Sequence, residues 1–167
     1  MLNSVFAIDP TGMRDGRRLK AIDELDQKIL RVMMEDSSKS YETIANEVGT
    51  SLSTVHNRIK RMKEEGVIAR IIPEVDSRRL GFDICALIDI RIDGGHMEEV
   101  QQAFCDHPNV CSIYDITGEY DTMFVAKFAT TADLNRFVKE LAEHEHVNRT
   151  SSKLVLNIIK ESLNPRL

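Results

Sequence analysis

Apolar residues recur with two different periods along this chain, and the change of period divides it. In the first part the spacing is helical. Leu25, Ile29 and Met33 fall at i, i+4 and i+8, predicting a helix from about Asp23 to Asp36 with Asp23 as its cap. Ile44, Ala45 and Val48 form a second stripe, and Val55, Ile59 and Met62 a third. Gly66 stops the third helix, and Val67-Ile68 with Ile71-Ile72 predict a short β segment. Beyond Pro73 the spacing shifts to period two, with Ile84, Ala86, Ile88, Ile90 and Ile92 marking a strand.

The remainder alternates helix and strand. Met97 to Asp106 predicts a helix with Val100, Ala103 and Phe104 inward, ending before Pro108. Val110 to Thr117 and Thr122 to Ala129 predict strands around a Gly118-Glu119-Tyr120-Asp121 turn. Thr131 to Glu143 is a helix on Leu134, Phe137, Val138 and Leu141, and Ser152 to Lys160 is the expected last strand. The order β-α-β-β-α-β predicts a ferredoxin-like unit with helices on one face of an antiparallel sheet. The fold class is therefore α+β. The expected division is a basic arm over 1–22, a winged helix-turn-helix over 23–72, a linker over 73–80 and a ferredoxin-like domain over 81–167. The arm includes MRDGRRLK at Met13 to Lys20, which is basic and lacks a period.

Between the second and third helical stripes lies a brace, a turn and a cap. Ala45 is small enough to let another helix axis approach, Gly49 ends its helix, and Ser51 caps the next. If Val55, Ile59 and Met62 are buried, then Ser53, Thr54, Asn57, Lys60 and Arg61 lie on the opposite side, with His56 and Arg58 on the flanks. Asn and Arg are strong readers of base edges, and Lys, Arg and hydroxyls hold phosphates. Arg58, Lys60, Arg61 and Lys63 occur with no acid between Ser51 and Lys63. Ser51, Ser53, Thr54, His56, Asn57, Arg58, Lys60 and Arg61 are thus the candidate contacts to double-stranded DNA. Arg58, at the core boundary, suits a structural ion pair as well as a phosphate.

The total charge changes this picture only in its distribution. The chain has 167 residues and a formal net charge of -5. Residues 1–72 hold 12 Lys and Arg against 11 Asp and Glu, whereas 73–167 hold 10 against 16. A near-neutral head with one basic helix, joined to an acidic body, suits contact with DNA at one end only. With 42% hydrophobic and 29% charged residues and no long apolar run, the chain is expected to be a soluble, cytoplasmic and nucleoid-associated protein rather than a membrane one. Cys85, Cys105 and Cys111 lack CxxC spacing and read as reduced thiols. No cofactor, metal or catalytic set is expected, because no phosphate loop or nucleophile-base pattern has a recognisable context. His144 and His146 form an H-x-H that reads as capping or solvated groups, with a metal site as the lesser alternative.

Both faces of the expected sheet carry apolar residues. Cys85, Leu87, Met123, Val125, Val155 and Ile159 alternate with the inward set, while two helices can cover only one face. A second copy of the sheet is the simplest cover, so a homodimer is expected.

Leu25-Asp26 with Ile29-Leu30, SLSTVHNRIKRMKEEGVI from Ser51, Leu80-Gly81-Phe82, Thr117 to Asp121 and the closing SSKLVLNIIKE occur in an order that resembles the Lrp/AsnC (leucine-responsive/asparagine, feast/famine) regulators. The resemblance spans residues 23 to about 161. It implies a winged-helix DNA-binding domain and a ligand-sensing βαββαβ domain, with dimers that assemble into octamers or other rings. It also implies an amino-acid effector bound between dimers, against Gly118, Glu119 and Asp121 of the hairpin and a polar turn of Thr150, Ser151 and Ser152. The chemistry fits, since carboxylates accept from an ammonium while backbone N–H groups and hydroxyls hold a carboxylate. One departure stands out. Before the last strand the family commonly has glycine then valine, and here the chain reads Glu145-His146-Val147. The leading expectation is a sequence-specific, ligand-modulated transcription regulator. The alternatives are a weakly specific DNA-coating, chromatin-organising protein without an effector, and an enzyme built on the body.

Overall fold

A computed structural model of the chain describes residues 13–14, 17–18, 21–162 and 164–167. It divides into two compact units, one of residues up to Pro73 together with Ser162–Leu167, the other Glu74–Glu161. Most of the arm expected over 1–22 lies outside the described residues. Within it, β1 (Met13–Arg14) pairs antiparallel with β2 (Arg17–Arg18).

The first unit is built on α1 (Glu24–Glu35), α2 (Tyr41–Val48) and α3 (Leu52–Glu64). Each begins on a side-chain cap: Asp23 accepts from the Asp26 N–H, Ser40 from Thr43 and Ser51 from Thr54. Asp26 returns the favour in α1 by accepting from the Asp23 N–H at 3.1 Å, closing a capping box. Gly49 ends α2 at φ 72°, a left-handed conformation that would strain any side-chain-bearing residue. The three apolar stripes meet in one core of Ile29, Met33, Ile44, Ala45, Val55, Ile59 and Met62. Fully burying each of the larger side chains contributes about 1.5–3 kcal/mol, which is what orders helices too short to persist alone.

The expected β segment of Val67-Ile68 and Ile71-Ile72 does not form. These residues carry no strand, so the unit is a helix-turn-helix without a wing hairpin among the described residues. The Ile68 N–H instead turns back to the Met62 carbonyl at 3.0 Å. Two-residue strands would supply too few ladder bonds to offset the entropy of ordering them.

After a 3-10 turn at Ser77–Leu80, the second unit runs β3 (Ile84–Ile92), α4 (Met97–Phe104), β4 (Val110–Asp115), β5 (Thr122–Phe128), α5 (Thr131–Glu143) and β6 (Val147–Leu154). The sheet order is β4-β5-β3-β6, antiparallel throughout. This is the α+β ferredoxin-like arrangement. Ala86, Ile88, Ile90, Phe124, Ala126 and Phe128 face Val100 and Phe104 of α4 and Leu134, Phe137 and Leu141 of α5. Cys85, Leu87, Met123 and Val125 alternate with them on the other face, and all four are only half-buried.

The last strand is displaced from its expected place. It spans Val147–Leu154, not Ser152–Lys160. Its partner sets the limit: Leu154 pairs with Ala86, the Val155 N–H bonds the Cys85 carbonyl, and β3 ends at Ile84. Beyond that point no strand among the described residues is left to pair with, and Leu156 and Ile159 are 86% and 93% exposed. The polar run Asn148 to Lys153 therefore forms the strand, although it lacks apolar alternation.

Candidate functional site

Helix α3 presents three faces of different chemistry. Val55, Ile59 and Met62 are buried. Ser53, His56, Asn57 and Lys60 are exposed, and Thr54 is half-buried. Leu52, Ser53, His56 and Asn57 together line an open concavity at the start of the helix. Ser51 caps that end, accepting from the Thr54 N–H at 3.2 Å, with hydroxyl contacts of 3.0 Å to Ser53 and 2.8 Å to Thr54. Lys60 is nearly one turn beyond Asn57 and only loosely paired to Glu64 at 3.9 Å.

The third face departs from the sequence reading at Arg61, expected to face solvent, and bears out the ion-pair alternative left open for Arg58. Arg58 and Arg61 do not stand free toward solvent. Arg58 Nη1 pairs with the Asp23 carboxylate and, at 3.2 Å, with Asp26 Oδ1, while Arg61 Nη2 pairs with Asp26 Oδ2. Asp26 is fully buried beneath both guanidiniums. At about 100° per residue, positions 58, 61 and 65 share one flank of α3, and that flank meets the N-terminus of α1. A long side chain on a flank can fold back to a buried carboxylate, and here it does so at both positions. Arg58, Arg61 and the α1 capping box therefore form one ion cluster that fixes the angle of α3. The Arg58 guanidinium and the Asp26 N–H hold the Asp23 carboxyl well down, from 3.8 to about 2, the N–H having the larger effect.

The hairpin between β4 and β5 lies at the sheet end where β3 finishes and β6 starts. Gly118 takes φ 125°, which requires glycine. Asp121 is tied into the sheet: its N–H bonds the Ile90 carbonyl at 3.0 Å, its carbonyl accepts from Ile116, and its Oδ2 accepts from the Ile92 N–H at 2.8 Å. One of its carboxylate oxygens is thus already used. Glu119 pairs with Arg149 of β6 at 3.0 Å, and both side chains are exposed. Arg149 also lies 6.0 Å from the Tyr120 ring centroid.

Thr150, Ser151 and Ser152 are not a turn. They sit inside β6, opposite Ile90, Asp89 and Ile88 of β3. Alternation sends Thr150 and Ser152 to the helix-covered side and Ser151 to the open side, so the three cannot line one pocket together. Thr150 is nearest the hairpin end, its cross-strand neighbour Ile90 also pairing with Thr122. The structural partner that sequence reading missed there is Arg149, whose pairing with Glu119 joins residues 30 positions apart.

Comparison with known proteins bears on both units. Residues 22–63 match the family model of the AsnC-type helix-turn-helix domain, and residues 85–165 that of the Lrp/AsnC ligand binding domain. An uncharacterized HTH-type transcriptional regulator of Pyrococcus abyssi is 37% identical over 140 residues, 84% of this chain and 95% of its own length. The chain belongs to the Lrp/AsnC family. Among solved structures, an AsnC family transcriptional regulator from Agrobacterium tumefaciens superposes with a TM-score of 0.79 at 26% identity, covering 86% of this chain and 95% of that one. A transcriptional regulator of Neisseria meningitidis, solved in complex with L-methionine, gives 0.81 at 25% identity over the same shares. This Lrp/AsnC protein is accordingly a transcriptional regulator with a helix-turn-helix and a ligand-binding domain, and not an enzyme. Among its described residues no helix is long and apolar enough to cross a membrane.

Proposed function

We propose that this regulator reads particular DNA sequences through Ser53, Thr54 and Asn57 of α3, with Lys60 and the capped helix N-terminus at Ser51 on phosphates. The observation that carries the reading is the exposed Ser53–Asn57–Lys60 column on a helix whose other flank is locked by Arg58, Arg61 and Asp26. A locked helix presents its polar column at one angle, which base recognition requires and phosphate contact alone does not. Ser51 and the exposed amides beside it favour a phosphate at the helix start. His56, on the opposite flank from the ion cluster and 6.1 Å from the Tyr41 ring, borders the groove rather than entering it. Arg58 and Arg61 act by holding the helix rather than by touching DNA.

The apolar open face of the sheet supports assembly as a homodimer through Leu87, Met123 and Val125, and dimers of this kind can close into an octamer or another ring. An amino-acid effector at the hairpin end of the sheet is the reading favoured for the ligand-binding domain. The L-methionine complex of the Neisseria regulator supports it. The donors and acceptors on offer are the N–H groups around Gly118, the carboxylate of Glu119, the second oxygen of Asp121 and the Thr150 hydroxyl. Ser151 and Ser152 fall outside this set because the pleat turns them away from Thr150 or further down the strand.

Selecting bound DNA from a random pool, then comparing wild type with Asn57→Ala on the best site and on random DNA, tests the central reading. Asn57→Ala is expected to weaken the selected site by about 1–3 kcal/mol more than random DNA, the worth of a bidentate base contact. Equal weakening on both, or no selected site at all, would favour a sequence-tolerant DNA-coating protein instead.

A further inference from the structure

We propose that His96, Glu99 and His146 form a binding site for a divalent transition-metal ion of the zinc type, at the sheet end that also carries the β4–β5 hairpin. Their ligand atoms all lie within 4.8 Å of one another. Glu99 Oε2 is 3.2 Å from His96 Nδ1 and 3.6 Å from His146 Nε2. Ligands about 2.0–2.1 Å from a tetrahedral ion stand roughly 3.3 Å apart, so two of the three edges of the site are already near their coordinated length. The donor set, two imidazoles and one carboxylate, is that of a borderline ion and not of calcium or magnesium. The Glu145 Oε1, 3.8 Å from the same His146 nitrogen, or a water, completes four-coordination.

The scaffold holds these groups together independently of any ion. Gly95, at φ 93°, turns the chain after β3 so that His96 becomes the N-cap of α4, and Glu99 follows it one turn later. The His96 side chain makes no capping bond, which leaves its ring free to face outward. His146 lies just before β6, and the two loops are pinned to each other. The Asp93 N–H donates to the His146 carbonyl at 3.0 Å, and Asn148 Nδ2 to Asp93 Oδ1 at 2.8 Å. The rings of His96 and His146 stack at 3.6 Å with 16° between planes. To aim both lone pairs at one ion the rings must splay, and His96, with its side chain 43% exposed, has room to turn. His144 stays outside the site, because its Nδ1 already accepts from the His146 N–H at 3.3 Å.

An ion here would cross-link the β3–α4 and α5–β6 loops beside the hairpin, giving the ligand-binding domain a metal-dependent input. Binding requires a deprotonated nitrogen on each ring and the Glu99 carboxylate.

The test is titration of the full chain with zinc chloride by calorimetry, with cobalt(II) absorption as the geometric readout. Wild type is expected to bind one ion per chain and to show the visible bands of a four-coordinate nitrogen–oxygen site. His96→Gln and Glu99→Gln are surface substitutions that leave the core untouched, and each is expected to weaken binding at least about tenfold. Zinc is also expected to raise the Tm of wild type and not of the double variant, since a ligand stabilises only the state it binds. The three cysteines are competing ligands and are recognised by thiolate charge-transfer bands. No binding by wild type, or binding that is thiolate in character and unchanged in both variants, would overturn the site.

Discussion

The two units solve opposite problems of placement. In the helix-turn-helix, the candidate functional side chains lie on a single element, α3, and their neighbours are set by helical arithmetic. In the ligand-binding unit the candidate groups come from three loops and a strand that are separated in sequence, His96 and His146 by 50 positions, and only the sheet register brings them together. Charge shows the same contrast. Arg58 and Arg61 close onto a buried carboxylate, whereas Glu119 and Arg149 meet in the open. A buried ion cluster fixes an angle, and an exposed pair is worth little by itself. The reading head is therefore expected to be stiff and the sensing end easily rearranged.

The largest expected effect lies at the ion cluster. Asp26→Ala leaves two arginines over a buried hollow with no carboxylate, a loss of about 3–5 kcal/mol for a broken buried pair. Hydrogen exchange is expected to rise across α1 and α3 while the amides of β3 and β5 keep their protection. Unchanged exchange in α3 would mean that the cluster does not set its angle, and would return Arg58 and Arg61 to the phosphate contacts.

Next comes the open sheet face. Val125→Asp places an unpaired carboxylate among Leu87, Met123 and their equivalents from a second copy, at about 3 kcal/mol or more if that face is covered. Light scattering is expected to find monomer or aggregate in place of the wild-type oligomer. A wild-type chain that is monomeric would rule out the sheet-to-sheet layer directly.

Asp121→Ala has a smaller effect and separates fold from sensing. Removing Oδ2 leaves the Ile92 N–H without its partner, at about 1–3 kcal/mol. The variant is expected to lower the unfolding midpoint of the ligand-binding unit and to blunt any amino-acid response, with ligand-free DNA binding preserved. A full response to amino acids in a destabilised Asp121→Ala chain would make this residue a brace and nothing more.

How much of this was legible in the sequence follows from the same contrast. Helical spacing placed Val55, Ile59 and Met62 inward and Ser53 and Asn57 outward correctly, because on one helix position determines face. It misplaced Arg61, whose long side chain reaches a carboxylate 35 positions earlier, a distance no period encodes. Period two located β3 and β5, which are buried on the helix side. It failed for β6, an edge strand of Asn, Arg, Thr, Ser and Lys, whose extent is dictated by the length of its partner. The expectation of a turn at Thr150 to Ser152 failed for the same reason. His96 and His146 are 50 residues apart, and nothing in their local sequence announces that they stack.

The smallest expected effect is the share of the acid response that Asp23 contributes, which should be confined to the helix-turn-helix unit. Asp23 has its carboxyl lowered from 3.8 to about 2, first by the Asp26 N–H and then by Arg58. A group with a depressed folded pKa binds its proton more weakly when folded, so its stabilising contribution is complete above the unfolded value. It is lost as pH falls through the window from about 3.8 to 2. The Asp23 side chain is 45% exposed, so the contribution is screened and should shrink as salt is raised. Asp23→Asn retains a good N-cap and removes the charge. It is expected to flatten the acid limb of protection in α1 and α3 at low salt, leaving the acid response of the sheet amides as in wild type. An acid limb that is the same in both chains would show that the Arg58 pairing at the N-cap contributes nothing to holding α3, and would leave that task to Asp26 alone.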